Sequence, residues 1–589
     1  MRIRRLWIEN FRGVRSFDWK LPTDQRLIAL VGPGDSGKST ILDAIHYLLG
    51  ERWMIPFADT DFYNADVEQR ILIRALLIDI PQDLRKESSL GLWLTGVDVE
   101  GEPYQDPADG VDAGILVQLT VDASLEPTWS VARVDGECQR LTSSQRRAFS
   151  TFKVDDRTDA QLRWSRTSPL GRMSAEDGAE REALASASRA AREALADHDN
   201  SSLADLATRV QERANKIGGG RFREVRPGLD TSRSAMGAAL ALYENTVPLT
   251  SYGLGTRRLA SLAVQQLAAG PRSVAVVDEI EAGLEPHRAV RLLNYLLSDD
   301  DYAQVIVTTH SPVIVEQAQI ENLATVQSSD GAVTVTALSG ASEAMLRLRR
   351  ARPSSLLARR IIVAEGKTEH GLLLACLEKW DAERAAQGLS TSAGEGVAIQ
   401  DAGGGSEVAP RAGALAELGF AVAGLLDNDD RNVDAAVVDA QLAGVTVIRW
   451  EEGCNTEAQV CAALGERGLT EFIRLGVERR SSEQTVLDDL NSAPGHPTVL
   501  TLEVHDWTHA GTSLKDARRR VASAAARRGW FKDVDGGRLL GAWIMQHAAQ
   551  SALAETISRL YEVRSFVYPD TDDRGVGAAD PLMGVPQGG

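Results

Sequence analysis

Leu27 to His46 reads L-I-A-L-V-G-P-G-D-S-G-K-S-T-I-L-D-A-I-H. The apolar run Leu27 to Val31 has the length of a buried strand. It leads straight into Gly32-Pro33-Gly34-Asp35-Ser36-Gly37-Lys38-Ser39, a full G-x-x-x-x-G-K-[ST] match, and a helical pattern follows from Ser39 to Leu49. Strand, glycine loop and helix in that order are the setting of a phosphate-binding loop. Gly32, Gly34 and Gly37 let the backbone curl so that successive N–H groups point inward at phosphate oxygens. Lys38 adds a point charge at the β and γ phosphates, and Ser39, next to Thr40, is placed to ligate Mg²⁺. The helix N-terminus adds partial positive charge. The stretch predicts ATP, with one Mg²⁺.

Working outward, the length of 589 residues suits two to four domains. Apolar content of 43% supports real cores. No run is long and apolar enough for a membrane span, and Met1-Arg2-Ile3-Arg4-Arg5 leads into alternating sequence instead of a signal peptide. Cys138, Cys376, Cys454 and Cys461 lack zinc-type spacing, and their scarcity fits a reducing cytoplasm. The net charge of −19 argues against a generic polyanion coat, but nucleic acid needs only a local basic surface. Two stretches offer one: Arg347, Arg349, Arg350, Arg352, Arg359 and Arg360; and Lys515, Arg518, Arg519, Arg520, Arg527, Arg528 and Lys532. Each reads equally well as a solvated helix face.

Residues 1 to 20 alternate around Ile3, Leu6, Ile8 and Phe17, predicting a strand or hairpin ahead of the glycine loop. Val67 to Ile80 and the short runs between residues 90 and 134 predict an antiparallel layer beside the nucleotide-binding sheet. From Ala175 to Ile217 the sequence turns Ala-, Glu- and Arg-rich with helical spacing, closed by Gly218-Gly219-Gly220. Such helices bury little surface alone, which predicts a helical insertion serving as a dimerisation arm. The end, from about Pro569, is Gly-, Pro- and Asp-rich and reads as a flexible tail.

Four buried strands end in polar residues: Ser273 to Val277 in Asp278-Glu279, Gln304 to Thr309 in His310, Arg360 to Ala364 in Glu365, and Ala421 to Leu426 in Asp427. Strands alternating with helices predict an α/β architecture with parallel sheets, whose ligands sit beyond the carboxyl ends of the strands. Nucleotide hydrolysis needs a second carboxylate for the metal, a group to orient water, and a γ-phosphate contact. Asp278, Glu279 and His310 are the candidates. The order of the P-loop, Ser251 to Leu259 (S-Y-G-L-G-T-R-R-L), Val276 to His287 (V-V-D-E-I-E-A-G-L-E-P-H) and T-T-H-S-P resembles the ABC-type ATPases of the SMC and recombination-repair kind. Asn10-Phe11-Arg12-Gly13 matches the N-F-R-G opening common there. The resemblance implies that Gly253 and Gly255 close on the nucleotide of a second subunit, so that the active ATPase is a dimer. The loop departs from L-S-G-G-Q, and for a Q-loop glutamine only Gln69 offers itself.

A second set of acids follows. Arg360 to His370 reads R-I-I-V-A-E-G-K-T-E-H; then come Gly403-Gly404-Gly405 and, at another strand end, Asp427-Asn428-Asp429. Glu365 and Glu369 share one face of a first helical turn, and Asp427 and Asp429 approach one hard cation from a turn. Four acids so close need Mg²⁺ or Mn²⁺ to relieve their repulsion. Two such ions clamp the attacking and leaving oxygens of a phosphodiester. The E-G-x-x-E … D-x-D pattern resembles a Toprim domain, and Glu457, in G-C-N-T-E, is a further candidate ligand.

An ABC-type ATPase followed by Toprim resembles the OLD (overcoming lysogenization defect) family of nucleases, to which the Gabija-type defence nuclease belongs; the motifs span about residues 1 to 470. The resemblance implies an ABC-type ATPase domain at 1–345 with its helical insertion at about 150–225. A Rossmann-like Toprim domain at 358–470, a helical C-terminal part at 471–568 and the tail at 569–589 complete the expected layout. It implies catalytic metals on Glu365, Glu369, Asp427 and Asp429, and a basic residue at the scissile phosphate. Lys532 in G-W-F-K and Arg538 in G-G-R-L-L are both candidates for that residue.

The whole reads as an ATP-regulated endonuclease acting on double-stranded DNA in the cytoplasm. It would be a homodimer or larger homo-oligomer, set against phage or other foreign DNA alongside a partner such as a helicase. The rival is an ATP-driven sensor or scaffold with a non-catalytic Toprim domain. A primase- or topoisomerase-like enzyme lacks a zinc ribbon and a placeable tyrosine here, and a transporter subunit would not carry the acid cluster.

Overall fold

The computed structural model describes residues 1–51, 55–107, 112–149, 151–155, 158–163, 168–173, 186, 190, 242–244, 247–270, 272–298, 302–340, 346–347, 349–350, 352–492 and 498–569. The expected helical insertion lies almost wholly outside the described residues, as does the expected tail beyond residue 569. Two compact units form: Met1–Ile28 with Ser39–Thr309, and Ala29–Lys38 with the chain from His310 onward.

In the first unit, β1 (Arg2–Phe11) and β2 (Val14–Lys20) make the expected hairpin, turned where Asn10 and Arg12 take positive φ. β3 (Leu27–Val31) is buried at every residue and ends at the glycine loop, from which α1 (Lys38–Leu49) emerges. Ile41, Leu42, Ile45, Leu48 and Leu49 of α1 are buried, the stripe that a core-facing helix presents. β4 (Ile71–Ile78) pairs antiparallel with β1, and the layer continues through β5 (Leu94–Val97), β6 (Pro103–Tyr104), β7 (Asp112–Val121), β8 (Thr128–Ala132) and β9 (Cys138–Arg140). This is the antiparallel layer read from the alternation.

β10 (Thr151–Val154) is followed by the two-residue strands β11 (Tyr243–Glu244) and β12 (Val247–Pro248) and by α2 (Leu254–Ala269). Then come β13 (Ser273–Val277), α3 (Pro286–Ser298) and β14 (Tyr302–Thr308). β13 lies between β10 and β14, parallel to both, and all five of its residues are buried. Strands covered on both faces must be apolar throughout, and S-V-A-V-V nearly is.

In the second unit, β15 (Leu323–Ser329) runs parallel to Ala29–Val31 of β3 and antiparallel to β16 (Ala332–Ala337). A separate four-stranded sheet, all parallel, has the order β18-β17-β19-β20, made of β17 (Arg360–Ala364), β18 (Val397–Asp401), β19 (Ala421–Leu426) and β20 (Thr446–Arg449). Its crossovers are α4 (Lys367–Ala386), α5 (Gly405–Glu417) and α6 (Asp434–Leu442). This is an α/β arrangement of parallel strands joined by helices.

The chain then runs through α7 (Thr456–Cys461), α8 (Glu466–Arg480), α9 (Glu483–Asn491), α10 (Val504–His509), α11 (Leu514–Arg528), α12 (Val534–Gln546) and α13 (Ala554–Val567). Trp380, Trp450, Phe472, Trp530, Phe531 and Trp543 anchor one core running from the sheet into these helices. The helical C-terminal part therefore shares its core with the sheet.

α4 and α12 meet backbone to backbone. A Cβ on Gly537 would stand 2.2 Å from the Thr368 carbonyl oxygen, and one on Gly371 would stand 2.1 Å from that of Val534. No other residue allows this approach. Thr368 Oγ1 also donates to the Phe531 carbonyl at 3.0 Å. Lys532, the next residue, is thereby tied to the start of α4, where Glu369 sits.

Candidate active sites

The glycine loop is closed on itself. Lys38, 4% exposed, donates from Nζ to the carbonyls of Gly32 at 3.0 Å and Pro33 at 2.5 Å. These oxygens hold the ammonium in the mouth of the loop. Gly32, Asp35 and Gly37 all take positive φ, the curl that turns amides inward. Gly34 and Ser39 are exposed and Thr40 is half-buried.

Ser39 Oγ donates to Asp278 Oδ1 at 2.9 Å, bringing together the two residues expected to share the nucleotide's cation. Thr308 Oγ1 donates to the same oxygen at 2.7 Å. Lys153 Nζ stands 3.6 Å from Asp278 Oδ2 and 2.6 Å from Asp43 Oδ1. Arg12, from the N-F-R-G opening, pairs with Asp43 and Asp61. Burial alone would raise the Asp43 carboxyl, yet Lys153 and Arg12 hold it below its ordinary value.

Glu279 is exposed, with φ of 46°, and its N–H donates to Thr308 Oγ1 at 2.7 Å. A left-handed glutamate is uncommon and concentrates where geometry is imposed for function. Arg258, 4% exposed on α2, donates to the carbonyls of Asp278 and Glu279. His310 is exposed at the end of β14.

The two signature-loop glycines part company. Gly253 caps α2 and is exposed, whereas Gly255 is buried and a Cβ on it would meet the Gly283 carbonyl at 2.2 Å. Gly255 thus joins α2 to the loop after Asp278 within one chain. Gln69 is exposed, and its carbonyl accepts from Asn10 Nδ2.

The second acid set converges at the carboxyl ends of β17 and β19. Glu365 Oε2 accepts the Asp427 N–H at 2.9 Å. Glu369 Oε2 accepts the Gly366 N–H at 3.0 Å, and Glu369 Oε1 accepts from Thr456 Oγ1 at 2.7 Å. Asp427 Oδ1 accepts the Thr456 N–H at 3.1 Å, with Thr456 Oγ1 at 3.3 Å. Trp450 Nε1 donates to that hydroxyl, so its single proton serves Glu369 or Asp427 but not both.

Burial, followed by Glu369, Glu365, Glu457 and Asp429, pushes Asp427 up to about 9. Burial pushes Glu457 up to about 7; Glu369 and Asp429 add to this and Lys532 opposes it. Glu365 is raised by burial and by Glu369 and Asp429, against the Asp427 N–H. Asp427 thus lies within electrostatic reach of the four other acids, while the Lys532 charge reaches Glu457 and that of Arg449 reaches Glu365. Arg538 is turned elsewhere, onto Glu378.

An all-carboxylate donor set suits a hard divalent cation. Among the described residues, however, no three His, Cys, Asp or Glu side chains stand ready around one point. The bonds above show why: oxygens of Glu365, Glu369 and Asp427 are turned onto protein donors.

The basic stretches are mixed: Arg350, Lys515, Arg519, Arg527, Arg528 and Lys532 are exposed, whereas several of the others are tied to the protein. Arg347 pairs with Glu407, Arg349 donates to the Ala318 carbonyl, Arg352 pairs with Asp401, and Arg360 donates to the Phe566 carbonyl. Arg359 bonds the glycine loop at the Gly34 carbonyl, 3.1 Å, and Asp35 Oδ2, 3.2 Å. Arg520 is 1% exposed and Arg518 donates to the Leu464 carbonyl.

Lys153, Thr308, Arg258 and Thr456 escape sequence reading. T-F-K-V carries no motif, and only the pairing of β10 with β13 brings its lysine to Asp278. Thr456 had a signal in its place beside Glu457.

Comparison with known families agrees with this geometry. Residues 125–316 match the family described as "AAA domain, putative AbiEii toxin, Type IV TA system", and residues 1–88 match "AAA ATPase domain". The chain carries an AAA-type ATPase domain. Such a domain takes ATP, typically with Mg²⁺. No curated protein matches significantly.

Among solved structures, the chain is similar to an SMC head bound to the C-terminal winged-helix domain of ScpA, at 17% identity over 58% of this chain and 100% of that one, TM-score 0.33. It is similar to the SMC head domain from Thermotoga maritima, at 16% identity over 57% and 99%, TM-score 0.26. A third likeness is to the recombination mediator RecF bound to a nucleotide analogue, at 12% identity over 57% and 98%, TM-score 0.31. Among the described residues no helix is long and apolar enough to cross a membrane.

Proposed function

We propose that this chain is an ATP-regulated, divalent-cation-dependent endonuclease acting on double-stranded DNA, working as a homodimer or larger homo-oligomer. The observation that carries the reading is the convergence of Glu365, Glu369, Asp427, Asp429 and Glu457 on two strand ends, with Lys532 beside them. Clustered carboxyl groups raised by burial and by one another mark a candidate functional site. Glu365, Glu369, Asp427, Asp429 and Glu457 would hold Mg²⁺ or Mn²⁺, whose chemistry is to activate water and neutralise a phosphodiester.

The chain's own residues do the rest. Thr456 and the Asp427 N–H orient the carboxylates, and the glycine contact of α4 with α12 keeps Lys532 where it meets a phosphate oxygen. ATP at the glycine loop, with Asp278, Glu279 and His310, sets the state of the assembly. A cytoplasmic role against foreign DNA, beside a helicase-like partner, follows from the resemblance to OLD nucleases.

The test is plasmid cleavage with Mg²⁺ or Mn²⁺, with and without ATP, in the full chain. Glu365→Ala and Asp427→Asn should each lower cleavage by at least about 10³-fold, as loss of a metal ligand or of its charge does. Cleavage indifferent to both substitutions, or no cleavage under any metal and nucleotide condition, would overturn the reading and favour an ATP-driven sensor or scaffold.

A further inference from the structure

Lys153 stands out because an ammonium group is expensive to bury. It is 8% exposed, on a strand with no recognisable motif. Its neighbours explain its tolerance. Asp43 Oδ1 lies at 2.6 Å and Asp278 Oδ2 at 3.6 Å. Asp43 sits on α1, one turn after Ser39, and its other oxygen takes Arg12. Asp278 Oδ1 takes the hydroxyls of Ser39 and Thr308, which leaves Oδ2 facing Lys153. A chain of charges, buried at Lys153 and partly exposed elsewhere, thus runs Arg12, Asp43, Lys153, Asp278, and returns through Ser39 to the helix that carries Asp43.

We infer that Lys153 is a positioning residue for the nucleotide's cation: anchored on Asp43, it holds the Asp278 carboxylate at the angle at which Asp278 and Ser39 jointly accept Mg²⁺. With a cation held by Ser39 and Asp278, the Ser39 hydroxyl would have to turn its proton away from Asp278 Oδ1. That frees the oxygen only if something else keeps the carboxylate in place. Thr308 fixes one oxygen and Lys153 fixes the other. Lys153 does this without becoming a ligand, since an ammonium has no lone pair. Groups that orient metal ligands typically govern affinity about 10- to 100-fold.

The sign of the effect separates positioning from mere proximity. Removing a neighbouring positive charge would by itself tighten divalent binding, whereas removing a positioning group weakens it. The inference rests on Asp278 serving the nucleotide's cation and is independent of the nuclease reading.

The experiment is Mn²⁺ titration followed by electron paramagnetic resonance, in the full chain with saturating ADP. An Asp427→Asn background keeps the second acid site from dominating the signal. Lys153→Met should weaken Mn²⁺ binding at the nucleotide about tenfold or more, with ADP affinity in EDTA unchanged. Asp43→Asn, which cuts the anchor from the other side, should do the same and serves if Lys153→Met does not fold. Unchanged or tighter Mn²⁺ binding in the folded variant overturns the inference. An Asp278→Asn control that leaves Mn²⁺ affinity unchanged overturns both it and the reading of Asp278; loss there without loss in Lys153→Met overturns the inference alone.

Discussion

Two groups of carboxylates gather around the carboxyl ends of parallel strands in this chain, and their surroundings differ in charge. Near the nucleotide loop Asp35, Asp43, Asp61 and Asp278 each stand beside a lysine or arginine, two of which are shared. Asp43 has Lys153 and Arg12, Asp61 has Arg12, Asp278 has Lys153, and Asp35 has Arg359. At the ends of β17 and β19 none of the five acids has a salt bridge among the described residues; Lys532 acts on Glu457 and Arg449 on Glu365 from farther off, and Thr456 and two backbone amides donate hydrogen bonds. The first site has its charges settled before any ligand arrives. At the second, burial and the neighbouring acids push Asp427 up to about 9 and Glu457 up to about 7, and bound cations would lower both.

The largest effect that would sharpen this contrast falls on Lys532. If it meets the scissile phosphate, Lys532→Met should cut DNA cleavage by about 10²–10³-fold, the usual loss for a group that stabilises developing charge. Mn²⁺ binding to the acid cluster should persist. Arg538→Met should stay within about threefold of the parent, because its guanidinium is engaged by Glu378. The reverse ranking, measured by plasmid nicking at fixed Mn²⁺, would break the assignment of Lys532.

A smaller effect concerns stability. The Asp427 carboxyl rises from 3.8 to about 9 on folding, so between those values the folded state holds a proton that the unfolded state has lost. Unfolding free energy then falls as pH rises through that window, and the strain is fully present above it. In EDTA at pH 8, Asp427→Asn should therefore be more stable than the parent by roughly 1–2 kcal/mol, within the range of single stabilising changes. The gain should shrink towards pH 5. Mn²⁺ should reverse the order, since the parent gains by mass action and the variant does not. Thermal melts in the four conditions check this; a variant less stable than the parent in EDTA at pH 8 would break the contrast.

Much of both sites is legible in the sequence because strand ends announce themselves. L-I-A-L-V before the glycine loop, S-V-A-V-V before Asp278, R-I-I-V-A before Glu365 and A-V-A-G-L-L before Asp427 are runs that only a doubly covered strand needs. What sequence does not show is set by pairing across the fold. Lys153 acquires meaning from the β10–β13 ladder, and Gly537 from its distance to the Thr368 carbonyl. The arginines from 347 to 360 look alike in one dimension, yet bond targets far apart along the chain, among them Ala318, Asp401 and Gly34. Gly255 reads as nucleotide-facing from the signature pattern, but its missing side chain is used by Gly283.

The smallest expected effect tests whether pairing near the glycine loop matters to ATP. Asp35 is 94% exposed at its side chain and sits inside a loop that receives a polyphosphate, where an unpaired carboxylate would repel the ligand. Arg359, 48% exposed at its side chain, covers that charge and also takes the Gly34 carbonyl. Both groups are well solvated, so Arg359→Ala should weaken ATP binding only about two- to fivefold. The loss should fade in high salt as screening replaces the arginine. Asp35→Ala in the same chain should restore affinity, because the acid that needed covering is gone; the double-mutant cycle isolates the pair from the carbonyl contact. If the double variant binds ATP no better than Arg359→Ala alone, Arg359 acts on the backbone of the loop and not on its charge. Charge pairing would then matter at Asp43 and Asp278, which share Lys153, but not at Asp35.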